Sequence, residues 1–126
     1  MLLAMKPNIQ RLEKLATHLE SGKLGHDFFN FGVYHVVRQR DCGSSGCALG
    51  ECPFIFADSW HFHPKDGNPS LRGLASCYST PHNSAQNFSG LSENQCVDLF
   101  YPSNKLGLFA TRQQVAANIR EFIASL

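Results

Sequence analysis

Apolar positions recur with a helical period at both ends of the chain. Ile9, Leu12, Leu15, Ala16 and Leu19 fall on one face of a helix predicted over residues 7–20, with Pro7 suited to its first turn and Gly22 to its C-terminal cap. Arg11, Glu13, Lys14 and His18 take the other side, which reads as a solvated face. Near the other end Val115, Ile119, Phe122, Ile123 and Leu126 form a second stripe, with Thr111 as cap and Gln114 at the capping-box position. A second such box, Ser92 to Gln95, opens a shorter helix through Cys96, Leu99 and Phe100 that Pro102 stops, and Leu91 can staple its start.

The middle of the chain is patterned differently. The run Cys-Gly-Ser-Ser-Gly-Cys-Ala-Leu-Gly-Glu-Cys over residues 42–52 is made mostly of small side chains and reads as a short buried helix capped by Asp41 or Ser44. Its glycines would let neighbouring backbone approach closely, and Pro53 ends it or begins a second turn through Phe54, Ile55 and Phe56. Residues 28–37 are apolar without a decisive period and leave room for a small two-stranded element. Residues 57–90, rich in Ser, Asn, Gly, Pro and His, read as one long irregular loop, the first place to look for a working surface. The expectation is a mainly α, compact single-domain bundle (1–126) of about five short helices with that loop attached.

Composition narrows the class of protein. A length of 126 residues with 43% hydrophobic content, ten Phe, three Tyr and one Trp suffices for one unstapled core. Eleven Lys and Arg against ten Asp and Glu leave a net charge of +1, and no basic run or stripe interrupts the sequence, so nucleic acid is not indicated. Five Cys at irregular spacing, no export-signal pattern at the start and no apolar run of about 18 residues predict reduced thiols in a cytoplasmic protein that does not cross a membrane.

The cysteines and histidines are the residues that invite chemistry. Cys52, His61, His63, Cys77 and His82 offer ligands for a structural zinc, but the C-x₄-C-x₄-C spacing is not that of a knuckle or ribbon, and only His61-x-His63 looks ligand-like. No cofactor is therefore favoured, with zinc as the alternative. Asp41-Cys42-Gly43 followed by Cys47 resembles the D-C-G-x-x-C head of the active-site helix in papain-like peptidases, including bacteriocin-processing and SUMO-protease families. That resemblance implies Cys42 as nucleophile with His61, His63 or His82 as base. Gln39 is only three residues upstream, closer than the oxyanion Gln of those families, and no alternating strand follows to carry the histidine. Gly43-Ser44-Ser45-Gly46 has the composition of a phosphate nest, without the Gly-Lys-Ser/Thr of a P-loop.

Three segments taken together, Cys42-Gly-Ser-Ser-Gly-Cys47-Ala-Leu-Gly50, Phe88-Ser-Gly90-Leu91-Ser92 with Leu99-Phe100, and Thr111 to Leu126, resemble a set of small uncharacterised bacterial and phage proteins. Glu51 stands where many of these have an aromatic, and Ser89 interrupts their paired aromatics. The resemblance implies a compact, mainly helical domain, often phage- or prophage-encoded, and transfers no activity. The expected function is that of a small non-enzymatic binding or regulatory protein with another protein as partner, met by Trp60, His61, Phe62 and His63 on the long loop, the equal alternative being that Trp60 and Phe62 fold back to cover the core.

Overall fold

The computed structural model describes residues 6–34, 36–37, 44–74, 80–102 and 106–126. The first predicted helix is α1 (Ile9–Ser21), opened by Asn8, whose side chain accepts from the Arg11 amide at 3.1 Å, and closed by Gly22 in the left-handed region at φ 74°. Leu12, Leu15, Ala16 and Leu19 are buried, whereas Ile9 lies at the exposed start of the stripe.

The C-terminal helix, α5 (Arg112–Ala124), forms the predicted capping box between Thr111 and Gln114 and buries Val115, Ala116 and Ile119. α1 and α5 make the most extensive helix pair among the described elements. Arg112 strengthens it by donating from Nη1 to the Leu19 and Glu20 carbonyls at 2.6 and 3.1 Å, satisfying acceptors that the end of α1 leaves open. The second capping box also forms, and α4 (Glu93–Phe100) buries Cys96, Leu99 and Phe100, with Leu91 buried ahead of it. Asn118 of α5 donates to the Asp98 carbonyl at 2.8 Å and joins the two helices.

The small-residue run divides where a single helix is predicted. Its first described part, Ser44–Gly46, is a strand, β3, and the helix α2 (Ala48–Ile55) starts only after Cys47 as N-cap, with Pro53 inside it, so that of the two readings of Pro53 the turn continuing through Phe54 and Ile55 is the one formed. β3 lies between β1 (Phe28–Phe29), to which it is parallel, and β2 (Val36–Val37), to which it is antiparallel. Residues 28–37 thus supply two strands, but the pair is joined by a third from the run read as helical. Small residues fit that central position and the helix that follows it: a Cβ at Gly46 in β3 would come within 2.6 Å of His26 Nε2, and one at Gly50 in α2 would run into the Tyr34 carbonyl.

The segment 57–90 is not one irregular loop. It contains an antiparallel hairpin, β4 (Trp60–Phe62) with β5 (Pro69–Leu71), and a helix, α3 (Pro81–Ser89). Thr80 caps α3 by accepting from the Asn83 amide, Pro81 occupies its first turn, and Gly90 ends it at φ 67°. Ser84 Oγ accepts from the Leu71 amide at 2.9 Å, so the polar sequence that suggested a loop ties the helix to the hairpin. The fold is mainly helical; among the described residues there are five helices, none of them long and apolar enough to cross a membrane.

Candidate functional site

Of the four residues expected to form a contact surface, Trp60 points inward. It is 1% exposed, and its ring meets Phe88 edge-on with centroids 5.7 Å apart. Phe88 in turn packs against Phe56 at 4.7 Å and carries the Arg11 guanidinium 4.1 Å above its face. Trp60 is therefore a core side chain and not a surface anchor. Phe62 is half-buried and stands edge-on to Phe54 at 5.5 Å. His61 and His63 lie two residues apart on one side of the hairpin, with ring centroids at 6.0 Å. Burial first, then the positive Arg72 and the neighbouring His63 ring, hold His61 below its ordinary value, so it is neutral at pH 7.

The described members of the zinc set, Cys52, His61, His63 and His82, are not grouped as metal ligands. Cys77, like Cys42, lies outside the described residues. The Cys52 thiol is buried and donates to the Ala48 carbonyl at 3.5 Å, and the His82 ring lies 5.5 Å from Tyr101 instead of beside His61 or His63. Among the described residues no three His, Cys, Asp or Glu side chains are grouped to hold a metal ion. The phosphate-nest reading is also corrected, since Ser44–Gly46 is extended strand rather than a loop folding into a helix start.

The three free thiols among the described residues, Cys47, Cys52 and Cys96, are buried. Burial is the main cause that pushes Cys47 up to about 11 and Cys96 up to about 12, and it lifts Cys52 well above its ordinary value. All three are thus protonated at neutral pH. Timed alkylation of the native protein with iodoacetamide at pH 7, read by peptide mass spectrometry, is expected to modify each at least about a hundredfold more slowly than free cysteine. Alkylation of any of them at the free rate would show that the core opens.

The residues that the buried run does bring together are Glu51, His26 and His18. Glu51 is 0% exposed and its two oxygens receive four donors. Oε1 accepts from His18 Nε2 at 2.8 Å and from the Gly25 amide at 2.6 Å, and Oε2 accepts from the His26 amide at 3.0 Å and from His26 Nδ1 in a short contact. Burial acts to raise the carboxyl, but the hydrogen bonds from His26, His18 and the Gly25 amide outweigh it and hold the group below its ordinary value. An ionised carboxylate can only accept, so both ring nitrogens facing it carry their protons. The His26 ring is buried, edge-on to Phe54 at 5.2 Å and to Phe62 at 6.3 Å. With both oxygens saturated and sealed from solvent, Glu51 is a tie between α1, α2 and the loop before β1, not a proton acceptor for a solute. His18, read as part of a solvated face, belongs to this tie.

The exposed chemistry lies elsewhere and is aromatic. Phe28 is 59% exposed, Leu108 52% and Phe109 91%. The Ala110 amide donates to the Gly107 carbonyl at 3.1 Å, closing a turn with Leu108 and Phe109 at its tip. The turn is anchored on one side by the buried Ala110 and the Thr111 cap of α5, and on the other Leu108 rests over Gly32, where an added Cβ would be 2.7 Å from Leu108 Cδ1. Two adjoining hollows, of ≈ 400 Å³ and ≈ 220 Å³, share Phe29, Phe109 and Ala110 as walls, so Phe28, Leu108 and Phe109 stand on one relief, which Asp27, Thr111, Arg112 and Gln113 border on the side of the larger hollow. The sequence signal for it was the run Leu106-Gly-Leu-Phe-Ala110 immediately before a helix cap. A scan against protein-family models, a search of curated proteins and a search of solved structures each give no match to this chain.

Proposed function

We propose that the protein is a small non-enzymatic binding or regulatory protein whose partner is another protein, and that the partner is held on the aromatic relief of Phe28, Leu108 and Phe109. The supporting observation is Phe109, an aromatic side chain 91% exposed at the tip of an anchored turn. Leaving such a group in water forgoes about 1.5–3 kcal/mol of burial. Clustered exposed apolar side chains mark contact sites, and aromatics are enriched in the buried centres of interfaces. The smaller flanking hollow, walled by Phe29, Phe31, Leu108 and Phe109, would take an apolar side chain of the partner.

The experiment is capture from the native host by wild type and by Phe28→Ser and Phe109→Ser. Wild type should retain a protein in stoichiometric amount, each variant should lose at least about tenfold of it, and both variants should melt like wild type because neither side chain is in the core. Retention unchanged in both variants, or no stoichiometric protein under any growth condition, would contradict the proposal.

A further inference from the structure

Behind β1, between the loop that follows it and the end of α4, lies a cleft of ≈ 160 Å³ separate from the exposed relief. Its floor is buried Phe31, Cys47 and Phe100, and its rim includes half-buried Val33, Tyr34 and Tyr101. The walls are two phenyl rings and a thiol that is protonated at neutral pH. An apolar cavity of about 150 Å³ is large enough to hold a benzene ring.

The hydroxyl-bearing residues that line the cleft are two tyrosines. Tyr34 and Tyr101 meet hydroxyl to hydroxyl at 2.8 Å, with their rings edge-on at 5.9 Å. Burial is the first cause raising both phenols above their ordinary value, so each keeps its proton. Two hydroxyls hold two protons, and the bond between them uses one. Whichever tyrosine donates within the pair, the second proton and the remaining lone pairs are left for another group. An apolar hollow of one-ring size beside a hydroxyl pair with donor and acceptor capacity to spare matches a ring that carries one hydroxyl.

We propose that this cleft binds small single-ring phenols, with the ring against Phe31, Cys47 and Phe100 and the ligand hydroxyl on the Tyr34–Tyr101 pair. The site is independent of the protein partner, and its test involves none.

The test is titration of ¹⁵N-labelled protein with phenol and, separately, with benzene. Phenol should give saturable shifts centred on the amides of Gly32, Val33 and Cys47, and benzene should bind the same place about fivefold more weakly for want of one hydrogen bond. Tyr34→Phe and Tyr101→Phe made together should bring phenol close to benzene while leaving benzene binding unchanged, because either hydroxyl alone still offers a donor and an acceptor. Should that double variant fail to fold, Val33→Trp at the rim must abolish phenol binding. No saturable response to phenol at millimolar concentration, equal binding of the two probes by wild type, a preference that survives both tyrosine changes, or phenol binding retained by Val33→Trp would each overturn the assignment.

Discussion

Trp60→Ala is expected to destabilise the protein by about 3–5 kcal/mol, the range for deleting a fully buried aromatic side chain. Against a total stability of about 5–15 kcal/mol for a domain, that is enough to leave a substantial fraction unfolded at 37 °C. The ring is 1% exposed and packs on Phe88, which itself bears Phe56 and Arg11, so its removal opens a void where the hairpin, α1 and α3 meet. Trp60→Phe should cost less, because the indole N–H has no acceptor among the described residues and its loss breaks no hydrogen bond there. Urea unfolding at constant m-value measures both changes. As the only tryptophan, Trp60 also reports its own burial. Blue-shifted emission that acrylamide barely quenches in the native state is the expected result. Full quenching, with an alanine variant as stable as wild type, would put the side chain on the surface.

Glu51 should be as costly to alter, and the cost should depend on pH. Glu51→Gln keeps the shape but places an amide NH₂ among four donors that need acceptors, and about 3–5 kcal/mol should be lost, as when one member of a buried pair is removed. His18→Ala, at the 15% exposed end of the network, should cost about 1–2 kcal/mol. The Glu51 carboxyl is lowered in the folded state from an ordinary value of 4.5, so the folded protein binds that proton less readily than the unfolded chain. Its contribution is complete above pH 4.5 and disappears as the pH falls through the lower folded value. Wild type should therefore lose stability progressively below about pH 4.5, and Glu51→Gln should lack that part of the loss. Parallel wild-type and variant profiles between pH 5 and 2 would remove Glu51 from the acid response.

The elements legible in the sequence are those whose ends and faces agree. α4 and α5 carry capping boxes that both form, and α1 has an apolar stripe that ends at Gly22. α3 was equally well punctuated, by Thr80, Pro81 and Gly90, yet its buried face is Ser84, Ala85 and Phe88. With one large apolar residue on that face, no periodicity was there to find. Ser44–Gly46 escaped for the opposite reason: small residues suit a close-packed helix and a crowded central strand alike, and only the partners Phe28–Phe29 and Val36–Val37 decide between them.

The site was less legible still. His18 had the spacing of a solvated-face residue and Glu51 lay in a run read as buried, and the distance in sequence between them gives no hint that they meet at 2.8 Å. The aromatic relief joins Phe28 to Leu108 and Phe109 from opposite ends of the chain, and its exposure depends on a turn closed between Gly107 and Ala110. Trp60 shows the converse, since the loop composition around it suggested a surface and the hairpin turns it inward.

The most direct measurement of where this protein works is site-specific photocrosslinking in the native host, with benzoylphenylalanine at position 109 on the turn or at position 61 on the hairpin. The account predicts one discrete protein adduct from position 109 and none from position 61. An adduct from position 61 alone, or none from either position, would contradict it.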